Sequence, residues 1–242
     1  MGHGYPDYGI ASPLATVFIL QDLAELAARL GSILTFDRRG NVTFLEDFEG
    51  SLERWITHFE GTGGKVESTA AAARSGAFAA ALTTGNLIGK YAYISHWMPM
   101  PILSRMGAEF SFCWWWYASI VQLDFNYATP DGGYRAQVRY NWQEQKIEYC
   151  PGDFDWQTLA TGIKLERGNQ LFHTIKVVAD FPRKKYTRLI LDSTSLDLSY
   201  LDLATYPPVS YPRLVLEIRT VAAENQNVLT YIDDAIITQN EP

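Results

Sequence analysis

Carboxylates come first, because a sugar-cleaving sandwich needs two of them flanking the scissile bond. On one strand face the two must be evenly spaced. Glu144 and Glu148 are so spaced, but the stretch Tyr140–Gln145 reads as a turn between strands. Glu46, Asp47 and Glu49, and again Asp233 and Asp234, fall at strand ends. No Gly-x-Ser-x-Gly elbow, His-Glu-x-x-His pair or phosphate loop occurs. His3, His58, His96 and His173 lack metal-ligand spacing, and His173 heads a strand as a satisfied core or edge residue. The sequence therefore assigns no catalytic residue, and a non-enzyme is expected.

Aromatic residues are the other chemical lead. Trp114, Trp115 and Trp116 are consecutive. Strand geometry sends Phe110, Phe112, Trp114 and Trp116 to one face as core and turns Trp115 to the other, beside Ser111 and Tyr117. Trp142 and Trp156 sit near turns. Exposed rings of this kind stack on sugars or anchor protein interfaces, and buried ones pack under loops. Both readings stand for Trp115, Trp142 and Trp156.

The elements that position these residues alternate with period two. Val121, Leu123, Phe125 and Tyr127 interleave with Gln122, Asp124 and Asn126. After the turn at Asp131-Gly132-Gly133, Tyr134, Ala136, Val138 and Tyr140 interleave with Arg135, Gln137, Arg139 and Asn141. Ile175, Val177 and Ala179 repeat the pattern, as do Leu214, Leu216 and Ile218, and Val228–Ile237 adds a last strand. One apolar and one wet face per strand predicts antiparallel sheets packed face to face, an all-β jelly-roll sandwich over residues 47–242.

Residues 1–46 differ in style. Residues 1–16 are rich in Gly, Pro and Tyr and read as an extended arm. Asp22 and Glu25 form a capping box for a helix whose Leu23, Leu26, Ala27 and Leu30 share a face, and Gly31 stops it. So short a helix is marginal alone and needs a surface to pack on, its own sandwich or another subunit. Burying Leu23, Leu26 and Leu30 stabilises by roughly 1.5–3 kcal/mol each, and Tyr5, Tyr8 and Phe18 would add aromatic contacts. Thr35–Leu45 reads as a small hairpin around Arg39-Gly40-Asn41.

The chain has 242 residues, 14% aromatic and 19% charged, with a net charge of −7. That balance argues against nucleic acid, which demands a basic face. The basic run Arg183-Lys184-Lys185 follows Pro182 and reads as a solvated turn. No apolar stretch approaches the ~20 residues of a membrane helix, and the first residues do not resemble an export signal. Cys113 and Cys150 pair only if their strands are neighbours; otherwise they are buried thiols.

Asp47-Phe-Glu-Gly50, Trp55, Ala73-Arg-Ser-Gly-Ala77 leading into Ala80-Ala-Leu82, and the closing Tyr231-Ile-Asp-Asp234 resemble the carbohydrate-binding-module jelly rolls. Phe172–Asp180 followed by Tyr186–Leu191 resembles the laminin-G and concanavalin-like sandwiches. The first resemblance implies a calcium ion between first and last strands, with Glu49 and Asp234 as ligands; the other reading of these two is a pair of solvated strand-end carboxylates. The order of arm, Leu/Ala helix, Thr35-Phe-Asp-Arg-Arg-Gly40 hairpin and sandwich resembles virion structural proteins of tailed phages, both capsid decoration (cement) and tail-associated types. It implies a protein made in a host cytoplasm and carried in the virion. Its partners would be copies of itself and other virion proteins. The alternative is a carbohydrate-binding module or lectin that takes glycans on exposed Trp and Tyr. Residues 1–46 discriminate, since assembly needs them and glycan binding does not.

Overall fold

The computed structural model describes residues 40–242, apart from residues 116, 118, 153 and 154. The arm, the helix and the first limb of the hairpin lie outside the described residues, and with them Tyr5, Tyr8, Phe18, Leu23, Leu26 and Leu30.

Strands dominate. They are β1 (Asn41–Glu46), β2 (Ile56–Phe59), β3 (Lys65–Thr69), β4 (Ala79–Thr83), β5 (Tyr91–Pro99), β6 (Arg105–Trp114), β7 (Ser119–Thr129) and β8 (Gly132–Asn141). They continue as β9 (Lys146–Tyr149), β10 (Gln157–Thr161), β11 (His173–Asp180), β12 (Lys185–Leu191), β13 (Thr194–Asp197), β14 (Ala204–Tyr206), β15 (Arg213–Ala222) and β16 (Leu229–Gln239). A single 3-10 turn, Leu52–Arg54, is the only helical element among the described residues.

The strands form two antiparallel sheets that make a jelly-roll sandwich. The first runs β13-β12-β11-β6-β16-β4-β3, with β1 also on β16; the second runs β10-β9-β8-β7-β15-β5-β2, with β14 on β8. Two strands share one edge of β16: β4 pairs with Leu229–Ile232, and β1 pairs with residues 235–239. Residues 41–46 are thus part of the sandwich, held against its last strand. The register slips between Asp233 and Ile236, and Asp234 takes a left-handed backbone, φ 49°. This bulge lies where β16 changes partner, so its extra residue aims a carboxylate away from the ladder.

The alternation read from the sequence decides which face each residue takes. Leu123, Phe125, Val138, Leu216 and Ile218 point inward from the second sheet and meet Phe110, Phe112, Trp114, Ile175 and Val177 of the first. The stripe Phe110, Phe112 and Trp114 is buried, and Phe112 stacks on Trp114 with ring centroids 5.8 Å apart; Trp116 is not described. Cutting a ring such as Phe125 back to Ala would cost about 3–5 kcal/mol. The β7–β8 hairpin turns where the Gly pair predicted it. Gly132 has φ 99°, and a side chain on Gly133 would come within 1.9 Å of the Tyr127 carbonyl oxygen, so that position admits only glycine.

Candidate functional site

With the apolar residues turned inward, the second sheet carries its polar set on its open side. Tyr93, Ser95 and Trp97 come from β5, Arg213, Val215, Glu217 and Arg219 from β15, Asp124 and Asn126 from β7, and Arg135 and Gln137 from β8. Together they line a groove of about 200 Å³, closed at its margins by Ile56 and Tyr206. Register explains the convergence. Glu217 pairs with Asp124 on one side and Ser95 on the other, and Asp124 pairs with Gln137. Residues far apart in sequence are thereby set one strand apart.

The floor is polar and nearly dry: Asp124 is 8% exposed, Asn126 3% and Gln137 1%. Asn126 Nδ2 donates to Asp124 Oδ1 at 3.2 Å, and Gln137 Nε2 donates to Asp124 Oδ2 at 3.1 Å. Both amides therefore spend their donors on one carboxylate. Their oxygens, Asn126 Oδ1 and Gln137 Oε1, are buried without a hydrogen-bond partner among the described residues, as is Arg213 Nε. Burial pushes the Asp124 carboxyl up to about 7; Glu217 pushes the same way, while Arg135 and Asn126 oppose. Glu217 Oε1 accepts from Arg219 Nε and NH2 at 3.0 and 2.6 Å.

Aromatic rings form the wall. Trp97 is 49% exposed, its indole nitrogen donates to Ser95 Oγ at 3.0 Å, and the Arg213 guanidinium carbon lies 4.0 Å from its ring centroid. Past Arg135 and Tyr206 the surface drops into a wider depression lined by Tyr127, Tyr134, Lys184 and Pro207. Lys184 Nζ sits 4.9 Å from the Tyr134 ring centroid. The basic run beside Pro182 is thus the β11–β12 turn, as its sequence predicted, with one lysine leaning over this depression.

The aromatic residues singled out in the sequence lie elsewhere. Trp115 directly follows β6 and is 38% exposed. Trp142 packs against the core below the Arg167 guanidinium, 5.3 Å away. Trp156 shares the open side of the second sheet, 4.1 Å from the Arg139 guanidinium, but does not line the groove. Trp97, which does, was missed. Its signal was present: Tyr91, Tyr93, Ser95 and Trp97 alternate with Ala92, Ile94, His96 and Met98.

Glu49 and Asp234 converge on the loop before β4. Glu49 Oε1 accepts from the main-chain N–H of Ala77 and Phe78 at 2.6 and 2.8 Å. Asp234 Oδ1 accepts from Ser75 Oγ at 2.7 Å, and its Oδ2 faces Arg74 at 3.5 Å. Asp233 Oδ2 takes the N–H groups of Arg74 and Ser75 at 2.7 and 3.2 Å. Burial, then repulsion from Asp234, pushes Asp233 up to about 7. Calcium needs about six to eight oxygens facing one point. Here N–H donors and a guanidinium hold the carboxylates, and no three His, Cys, Asp or Glu residues group as metal ligands among the described residues. The set as placed fits a clasp between loop and bulge, not a calcium shell.

Of the remaining candidates, Glu144 is an exposed turn residue and Glu148 is buried on β9; Lys146 bridges them at 2.7 and 2.9 Å. His173 heads β11 with Nδ1 2.6 Å from Asp192 Oδ2 and Nε2 2.7 Å from the Glu166 carbonyl. Cys113 lies in the first sheet and Cys150 follows β9 of the second, so they are not neighbours; both are buried free thiols, and burial pushes Cys113 up to about 12.

No protein-family profile and no curated protein matches the sequence. Solved structures do. A sialidase aligns at 12% identity with a TM-score of 0.52, over 84% of this chain and 19% of its own, so the chain spans about a fifth of that enzyme. A β-glucanase of Bacillus licheniformis aligns at 9% identity and TM-score 0.51, over 83% of this chain and 99% of its own. A carbohydrate esterase from a Shiga toxin-encoding bacteriophage aligns at 13% identity and TM-score 0.50, over 82% of this chain and 100% of its own. At such identities the likeness shows the fold. It also corrects the expectation of a non-enzyme, because enzymes are built on this fold. Spacing along one strand does not display a carboxylate pair such as Asp124 and Glu217, which face each other across two strands.

Proposed function

We propose that this chain recognises carbohydrate, and that the glycan lies in the groove on the open side of the second sheet. One observation carries the reading: an exposed tryptophan, Trp97, lines one groove with buried acceptors, Asn126 Oδ1 and Gln137 Oε1, that have no partner among the described residues. A sugar ring offers both complements, a C–H face for the indole and hydroxyls that donate to the amide oxygens. A buried acceptor left unmatched costs about 1–3 kcal/mol, so a ligand that satisfies two of them gains selectively over one that does not. The wider depression past Tyr206 supports a ligand of several residues. The names of the structures sharing the fold, a sialidase, a β-glucanase and a carbohydrate esterase, support the same substrate class.

The test is calorimetry of the natural chain and of Trp97→Ala against a panel of oligosaccharides, with product analysis of each mixture to read turnover alongside binding. The expected result is binding by the natural chain and a loss of tenfold or more in the variant, circular dichroism being unchanged. Equal binding by both would place the ligand elsewhere.

A virion setting is a second reading. The order of arm, helix and sandwich supports it, as does the bacteriophage source of one esterase with this fold. Under it, residues 1–31 attach the chain to copies of itself or to virion proteins while the sandwich meets glycans.

A further inference from the structure

We infer that the saccharide taken by this groove is acidic, a carboxylate-bearing sugar chain with one carboxylate seated on Arg213. The inference rests on the carbohydrate reading above and sharpens it.

Arg213 differs from four arginines of the two sheets that carry a carboxylate partner. Arg105 pairs with Asp180 at 3.0 Å, Arg139 with Glu148 at 2.6 Å, Arg188 with Glu241 at 2.5 Å and Arg219 with Glu217 at 2.6 Å. Arg213 has no carboxylate partner among the described residues, and its Nε, though buried, makes no hydrogen bond. In a protein of net charge −7, acidic partners are plentiful, so an arginine that lines a groove and pairs with none of them stands out. Its guanidinium is also held in place. Stacking 4.0 Å over Trp97 fixes its plane and limits the freedom it would lose on binding.

A guanidinium so presented matches a planar carboxylate, which takes two parallel N–H bonds. The acids facing the groove do not cancel this charge. Glu217 is engaged by Arg219, and Asp124 lies beneath the amides of Asn126 and Gln137. With the carboxylate on Arg213, hydroxyls of the same sugar chain would face the floor acceptors Asn126 Oδ1 and Gln137 Oε1. The fork can take two oxygens of a carboxylate or of a sulfate ester, so a sulfated oligosaccharide is the arm that separates the two acids.

Calorimetry on the full chain tests this with galacturonate oligomers, neutral galactose oligomers of matched length and a sulfated oligosaccharide. Arg213→Gln keeps a planar group over Trp97 and removes the charge; Arg213→Lys keeps the charge without the fork. The natural chain is expected to bind the uronate oligomers about tenfold or more tighter than the neutral ones, with affinity falling as salt rises. Arg213→Gln should reduce uronate affinity at least tenfold more than neutral affinity, and Arg213→Lys should recover part of that loss. Neutral oligomers bound as tightly as uronates, or sulfated ones preferred, would overturn the carboxylate assignment and leave the carbohydrate reading standing. Failure to bind any saccharide would overturn both.

Discussion

Asp124 of β7 and Glu217 of β15 are direct cross-strand partners on the open side of the second sheet. Antiparallel pairing sets their Cα atoms about 4.5–5.5 Å apart. Two like charges so placed are unfavourable, and the structure separates their states. Glu217 is held by the Arg219 guanidinium, while Asp124 is buried and pushed up to about 7. One acid thus holds or gives up its proton near neutrality beside another that is engaged by a guanidinium, an arrangement that both binding and proton transfer can use.

Removing the Asp124 charge should stabilise the fold at neutral pH. The folded pKa lies above the unfolded one, so the native state binds the extra proton. Stability is therefore greatest below about pH 4 for this group and falls as pH rises toward about 7. Asp233, also pushed up to about 7, adds to the same decline. Asp124→Asn should raise the melting temperature at pH 8 and leave it nearly unchanged at pH 4, with Asp233's share of the slope remaining. Thermal melts at the two pH values decide; no gain at pH 8 would show Asp124 to be well compensated as an anion.

Calcium should not stabilise the chain. Arg74 and five donor groups of its loop already hold Asp233, Asp234 and Glu49. Arg74→Ala breaks a largely buried pair and should cost about 3 kcal/mol. Melts with calcium and with chelator should coincide for the natural chain. A rise of several degrees with calcium would mean that Arg74 yields its place to the metal.

His173 predicts a second pH window. Burial favours the neutral ring, but Asp192 and the Glu166 carbonyl both accept from it and raise its pKa overall. A raised histidine stabilises fully below about pH 6.5 and ceases to do so as pH climbs through its folded pKa. The melting temperature should drop on the alkaline side of pH 6.5. Asp192→Asn should flatten that drop, and an unchanged slope would rule the pair out as its source.

Deletion of residues 1–31 should leave a folded sandwich that still binds glycan and no longer associates with copies of itself or with particles. Sedimentation and circular dichroism of the truncated chain read both halves of that statement. Unfolding, or unchanged assembly, would remove the arm as the anchor.

The sandwich was legible because alternation survives in sequence: Leu123 and Phe125, or Leu216 and Ile218, announce a buried face without any knowledge of their neighbours. The groove was not, because it depends on register between distant strands. Asp124 reads as one more wet-face residue until β15 brings Glu217 opposite, and Trp97 reads as one of seven tryptophans until β5 proves to border β15. In the conspicuous run Trp114–Trp116, strand parity put Trp114 in the core, where it lies, while Trp115, read as a candidate for exposure, is exposed but does not line the groove. Glu49 and Asp234 both bond to the loop before β4, but the partners that hold them there, its N–H groups, Ser75 and Arg74, are ones no spacing rule identifies.

The shortness of β2 has a further consequence. Its four residues are exposed throughout and cover only Ala92–Ser95 of β5, so on that edge, opposite β15, no described strand borders β5 beside Trp97. Ile56, the first of the four, is already a margin of the groove. Lengthening this one strand at its N-terminal end would raise a parapet next to the indole, and shortening it would widen the approach. The breadth of ligand the sheet admits is therefore adjustable at a peripheral strand, without touching a single residue of the floor.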